Sequence, residues 1–83
     1  MNNHKTTIHA KCPYLPVWDY YQVTFSTSKF IQCETLEKAA DKARGLKVTQ
    51  EDIAMKLRKQ LPKHVKIKVV GRHGANCLTE ITR

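Results

Sequence analysis

Residues 49–70 read TQEDIAMKLRKQLPKHVKIKVV, and this stretch decides the fold because its apolar period changes once, at Pro62. Before the proline, Ile53, Ala54, Leu57 and Leu61 fall on one helical stripe. Thr49 stands at the N-cap with Asp52 three residues on, a capping-box pair, while Val48 and Ile53 hold the two positions of a hydrophobic staple. Pro62 biases Leu61 out of the α region, so the helix ends near Gln60. After the proline, Val65, Ile67 and Val69 alternate with His64, Lys66 and Lys68, the period of a half-buried strand. A helix over 49–61 therefore runs almost directly into a strand over 65–70.

On the N-terminal side, Leu36, Ala39, Ala40 and Ala43 form a second helical stripe. The pattern predicts a helix over 35–44, with Thr35 as N-cap and Gly45 at the left-handed C-cap position. Trp18 to Thr27 alternates, with Tyr21, Val23 and Phe25 on one face and Tyr20, Gln22, Thr24 and Ser26 on the other. Thr6 to Cys12 alternates in the same way, and Pro13 and Pro16 bracket the loop between these two strands. Phe30 to Cys33 reads as a short third strand. On the C-terminal side, residues 71–76 read as a glycine-containing loop leading to a last strand, Cys77 to Thr82, which pairs with Val65–Val70 as a hairpin.

The expected fold class is α+β: one small domain over residues 1–83, with residues 1–4 flexible, and an antiparallel sheet carrying both helices on one face in the order β-β-(β)-α-α-β-β. The core is Ile8, Val23, Phe25, Leu36, Ala40, Ile53, Leu57, Val65, Ile67 and Val69. The other sheet face is polar and partly basic.

Charge is the strongest functional signal. The chain has 83 residues with 15 Lys and Arg against 7 Asp and Glu, a formal charge of +8. Between Asp52 and Glu80 there is no acid, and Lys56, Arg58, Lys59, Lys63, Lys66, Lys68 and Arg72 fall there. Such asymmetry points to an anionic partner, against the plainer reading of a solvated surface. These seven residues are the expected binding surface for nucleic acid, DNA or RNA, with Tyr14, Trp18 and Tyr20 as aromatic contacts able to stack on bases. A nucleic-acid-binding host protein complex is the alternative partner, as for a phage or mobile-element anti-defence protein. A homodimer through the Cys77–Thr82 edge is permitted.

The run Tyr21–Phe25, then Phe30-Ile31-Gln32, then Thr35–Ala39 resembles the β-β-α opening of HicB-type antitoxins over less than a third of the chain. That resemblance implies an antitoxin-like regulator, and it transfers no functional residue.

Chemical motifs are sparse. Gly71-Arg72-His73-Gly74 resembles a phosphate-cradling loop by composition. No nucleotide-binding glycine motif or zinc-protease motif occurs. Residues 49–57 look like the first helix of a helix-turn-helix, but no second helix follows Pro62. Three cysteines, Cys12, Cys33 and Cys77, lie far apart and read as reduced thiols. With no close paired spacing, neither a metal nor a cofactor is expected. Asp19 and Glu80 stand as isolated acids. The expectation is a non-catalytic, cytoplasmic binding protein, since the chain has neither an apolar run of membrane-spanning length nor an apolar leader.

Overall fold

Strand alternation and two amphipathic helices are realised together. The computed structural model describes residues 1–73 and 76–83. The elements are β1 (Asn2–Lys11), β2 (Trp18–Thr27), α1 (Cys33–Asp41), α2 (Gln50–Gln60), β3 (Lys66–His73) and β4 (Cys77–Thr82). The sheet is a four-stranded antiparallel meander, β1-β2-β3-β4. Both helices lie on one face, α1 against β1 and α2 against β3 and β4.

Period two sorts the sheet. Ile8, Ala10, Tyr21, Val23, Phe25, Ile67 and Val69 are buried toward the helices, which contribute Leu36, Ala39, Ala40, Ile53, Ala54 and Leu57. The small alanine stripe of α1 lets that helix come close to β1. The opposite face is open and carries Lys5, His9, Lys11, Trp18, Tyr20, Lys66 and Lys68.

Helix α2 begins as expected. Thr49 accepts from the Asp52 backbone N–H at 3.1 Å, and Asp52 accepts from the Thr49 N–H at 3.1 Å. Leu61 is extended at φ −118°, ψ 151°, the conformation that Pro62 favours. Gly45 takes φ 78°, and its N–H donates to His9 O at 2.9 Å as the chain turns back along β1. Leu46 O then accepts from Lys11 N at 2.8 Å, and Lys47 bridges to Lys11 in parallel, so this stretch covers the outer edge of β1 near its end.

Four expectations change. Phe30–Cys33 is not a strand: the Thr27 hydroxyl donates to Lys29 O at 3.0 Å and accepts from Lys29 N, which turns the chain, and Phe30 is exposed. The second strand of the antitoxin-like opening is thus missing. Helix α1 starts at Cys33 with Gln32 as an N-cap that makes no side-chain cap bond, and it ends at Asp41 with Lys42 as C-cap; Thr35 lies inside it and Gly45 beyond it. Residues 2–4 are not loose, since Asn2, Asn3 and His4 pair with Thr27, Ser26 and Phe25, and Ser26 Oγ donates to Asn3 Oδ1 at 2.7 Å. Gly71, Arg72 and His73 are not loop. They continue β3, opposite Thr79, Leu78 and Cys77. The remainder of that expected loop, Gly74 and Ala75, lies outside the described residues.

Candidate functional site

The β1–β2 connection builds the site. Lys11 and Trp18 close the ladder, and Cys12 N donates to Val17 O at 3.0 Å, so the two ends of the proline-bracketed loop are held side by side. Alternation then sets direction. Cys12 follows Ala10, and Asp19 precedes Tyr21, on the helix-covered face. Cys12 and Asp19, seven residues apart in sequence, therefore line one cavity of about 150 Å³ together with Tyr21, Gln50 and His73.

The far wall is tied by hydrogen bonds. Gln50 is buried at the first turn of α2, and its Nε2 donates to Val69 O at 3.0 Å and to Thr79 O at 2.9 Å. With the amide N–H groups spent on carbonyls, Gln50 Oε1 faces His73 Nε2 at 2.7 Å. That oxygen can only accept, so Nε2 carries a proton and donates it to Gln50, which orients the ring. The Tyr21 and His73 rings lie 6.4 Å apart. Tyr21 packs on Gly71, where a side chain would collide with its ring. The Tyr21 hydroxyl points at Asp19 Oδ2 at a long 3.5 Å. Burial, and next the Asp19 charge, push the phenol up to about 12, so it stays protonated and available as a donor at neutral pH.

A second, larger hollow of about 520 Å³ adjoins the first and shares Cys12, Pro13 and Tyr14 with it. Its rim carries Lys11, Lys47, Leu15 and Trp18. Trp18 and Tyr20 stand on the open face beside His9, with ring centroids 5.5 and 6.5 Å from it. Lys11 Nζ lies 5.4 Å from the Trp18 centroid. Tyr14 is exposed on the loop.

The basic residues singled out by sequence do not form one surface. Lys56, Lys59 and Lys63 are exposed on and just beyond α2, on the helical side of the layer, whereas Lys66 and Lys68 project from the open sheet face. Lys68 also pairs with Glu80 at 3.5 Å. Arg58 is committed to the fold: its guanidinium donates to Val65 O at 2.7 Å, to Leu61 O and Arg83 O at 3.3 Å, and to Pro62 O. Arg72 lies on β3 at the end nearer the cavity, opposite Leu78. Sequence reading missed Cys12 and Asp19 as partners. The available signal was the pair of prolines, which places the two flanks of a hairpin loop side by side. Nothing local marks Gln50, and His73 stands out only as part of the glycine-containing run 71–74.

No protein-family model matches the chain, and no curated protein sequence matches it significantly. Among solved structures the chain is similar to the archaeosine synthase QueF-like in its apo form, with a TM-score of 0.81 and 20% identity over 99% of this chain and 89% of that one. This likeness shows the fold: a small α+β domain of four antiparallel strands and two helices. It also corrects the expectation of a non-catalytic protein, because the named neighbour of this size and architecture is a synthase. Among the described residues no helix is long and apolar enough to cross a membrane.

Proposed function

We propose that the protein acts on a base of a nucleic acid, held in the cavity between the 12–17 loop and α2, with Cys12 as nucleophile and Asp19 as the carboxylate that moves the proton. The observation that carries this reading is the cavity itself. It gathers a half-buried thiol, a carboxylate, a phenol held protonated and a histidine oriented by Gln50. A thiol attacks an electron-poor carbon only as thiolate, so Asp19 takes the thiol proton. As the C–S bond forms the π bond of that carbon opens, Asp19 returns the proton to the atom that gains the electron pair, and water or ammonia from solution then displaces the sulfur as the Cys12 thiol. Tyr21 and Gln50 fix the positions of Asp19 and His73. The name of the structural neighbour, an archaeosine synthase, supports a nucleoside-modifying chemistry. The charge of +8 supports a polyanionic substrate, with Lys59, Lys63, Lys66 and Lys68 on two sides of the molecule providing the attracting field.

The test is incubation of the protein with RNA and with DNA, followed by mass-spectrometric analysis of the released nucleosides, archaeosine among them. A protein-dependent change in a base is expected. Cys12→Ala and Asp19→Asn should abolish it while keeping the wild-type melting temperature. Persistence of the change in Cys12→Ala, or no change in any base together with Cys12 alkylation that neither nucleic acid nor nucleosides slow, would reject the reading.

A further inference from the structure

The hollow beside the cavity has no role in that chemistry, yet its shape and charge are specific. It is bounded on one side by the 12–17 loop and on the other by the Lys47 segment that runs along β1. At about 520 Å³ it has the size of a site for a small organic ligand. The β-bridge between Lys11 and Lys47 brings two like charges to one rim, and neither has a carboxylate partner among the described residues. Two adjacent cations repel, and an anion between them relieves that repulsion. Beside them stands Trp18, a residue 46% exposed, with the His9 ring in edge contact with it. Cations next to a supported, exposed indole form the combination that holds a phosphate and stacks the attached base. The hollow meets the cavity at Cys12, Pro13 and Tyr14, which line both.

We infer that this groove seats the nucleotide adjoining the base held in the cavity, with Trp18 stacking its base and Lys11 and Lys47 holding its phosphate. The inference rests on the proposed function and sharpens it: the substrate is a single strand, engaged at two consecutive nucleotides, rather than a free base or a duplex. Lys66 and Lys68 take no part in this contact. They leave β3 at its opposite end, five to seven residues from His73, or about 15–25 Å along the strand.

Trp18 is the single tryptophan of the chain, so its fluorescence reports the groove directly. The protein, with Cys33→Ser and Cys77→Ser leaving Cys12 as its one thiol, is titrated with an eight-nucleotide single-stranded RNA, the matching duplex and a mononucleotide. Cys12 alkylation is followed in the same samples. The single strand should quench Trp18 and protect Cys12. Lys11→Gln/Lys47→Gln should weaken binding and lower the slope of log affinity against log salt by about 1.4, two single-strand contacts. Lys38→Gln/Lys42→Gln, on α1 and at its C-cap, should leave the quenching amplitude unchanged. With a labelled strand read by anisotropy, Trp18→Ala should bind about tenfold weaker and Trp18→Phe within about threefold of wild type. Quenching by the duplex equal to that by the strand overturns the assignment, as does wild-type affinity and salt slope in Lys11→Gln/Lys47→Gln. Protection of Cys12 without quenching overturns the groove and keeps the cavity reading. Quenching without protection upholds the groove and overturns the cavity reading. Absence of both signals rejects nucleic acid here and leaves the apolar rim at Leu15 and Val17 to a protein partner.

Discussion

Gly71→Ala places a methyl group where the Tyr21 ring already lies. An ideal Cβ at position 71 would sit 2.5 Å from Tyr21 Cδ1, closer still to Cε1, and 3.1 Å from Gln50 Oε1. Ordinary contact needs about 3.4 Å or more, so the ring must shift by about 1 Å. Tyr21 is only 2% exposed, and the shift therefore propagates into the core and toward Asp19 and His73. Overpacking of this kind costs about 1–3 kcal/mol. Replacing a strand glycine by alanine returns about 0.5–1 kcal/mol of backbone entropy. The net loss is about 1–2 kcal/mol, and for a domain of this size that lowers the melting temperature by roughly 4–16 °C. Thermal unfolding followed by circular dichroism measures it. In a Tyr21→Leu background the obstructing ring is gone, and the same substitution should be neutral or slightly stabilising. If Gly71→Ala melts at or above the wild-type temperature, or loses the same amount in both backgrounds, the steric account of this glycine fails.

Other perturbations follow from the same geometry. Leu57→Ala empties a fully buried position between α2 and the sheet and should cost about 3 kcal/mol in urea unfolding. Arg58→Met leaves the Val65, Leu61 and Pro62 carbonyls without their cationic donor, so about 2 kcal/mol of stability should go while nucleic-acid affinity at low temperature is kept. The Arg44 guanidinium, and next the Thr6 hydroxyl, hold the Glu37 carboxyl below the usual carboxylate range. A depressed folded value means this contribution is present above the unfolded value and disappears as pH falls through the folded one. Stability should therefore decline below about pH 4, and Glu37→Gln should show a shallower acid limb than wild type.

Where a period dominates, the sequence already contains the structure. Val65, Ile67 and Val69 are buried and the intervening lysines exposed, as alternation demands. The Thr49–Asp52 pair set the start of α2 because a capping box is a local device. The failures lie where a distant residue overrides local composition. Gly71 looks like a turn glycine because Gly74 follows it closely, yet it lies within β3 because Tyr21, fifty residues earlier, needs the space. The basic third looks like one surface in the sequence. It divides because α2 packs on β3, which sends their lysines to opposite sides of the layer. The cavity was invisible for a related reason. Cys12 and Asp19 acquire meaning only when a hairpin closes, and Gln50 and His73 join them only through the packing of α2 on the sheet.

The sheet meanders, yet its middle seam is not a hairpin. Six residues separate β1 from β2, whereas 38 residues, including both helices, separate β2 from β3. Closing the longer connection costs about 1.6 kcal/mol more in chain entropy, so the β1–β2 ribbon is expected to form before the central zipper. The two sides of the cavity belong to different stages of that sequence. Cys12, Asp19 and Tyr21 arrive with the ribbon; Gln50 and His73 arrive when β3 docks. A ribbon without its docked partner presents a bare thiol beside a carboxylate, with neither the wall that shields it nor the histidine that faces it. Assembly of the two walls is thereby tied to the longer closure, and a half-folded molecule carries the Cys12 thiol without Gln50 and His73 beside it.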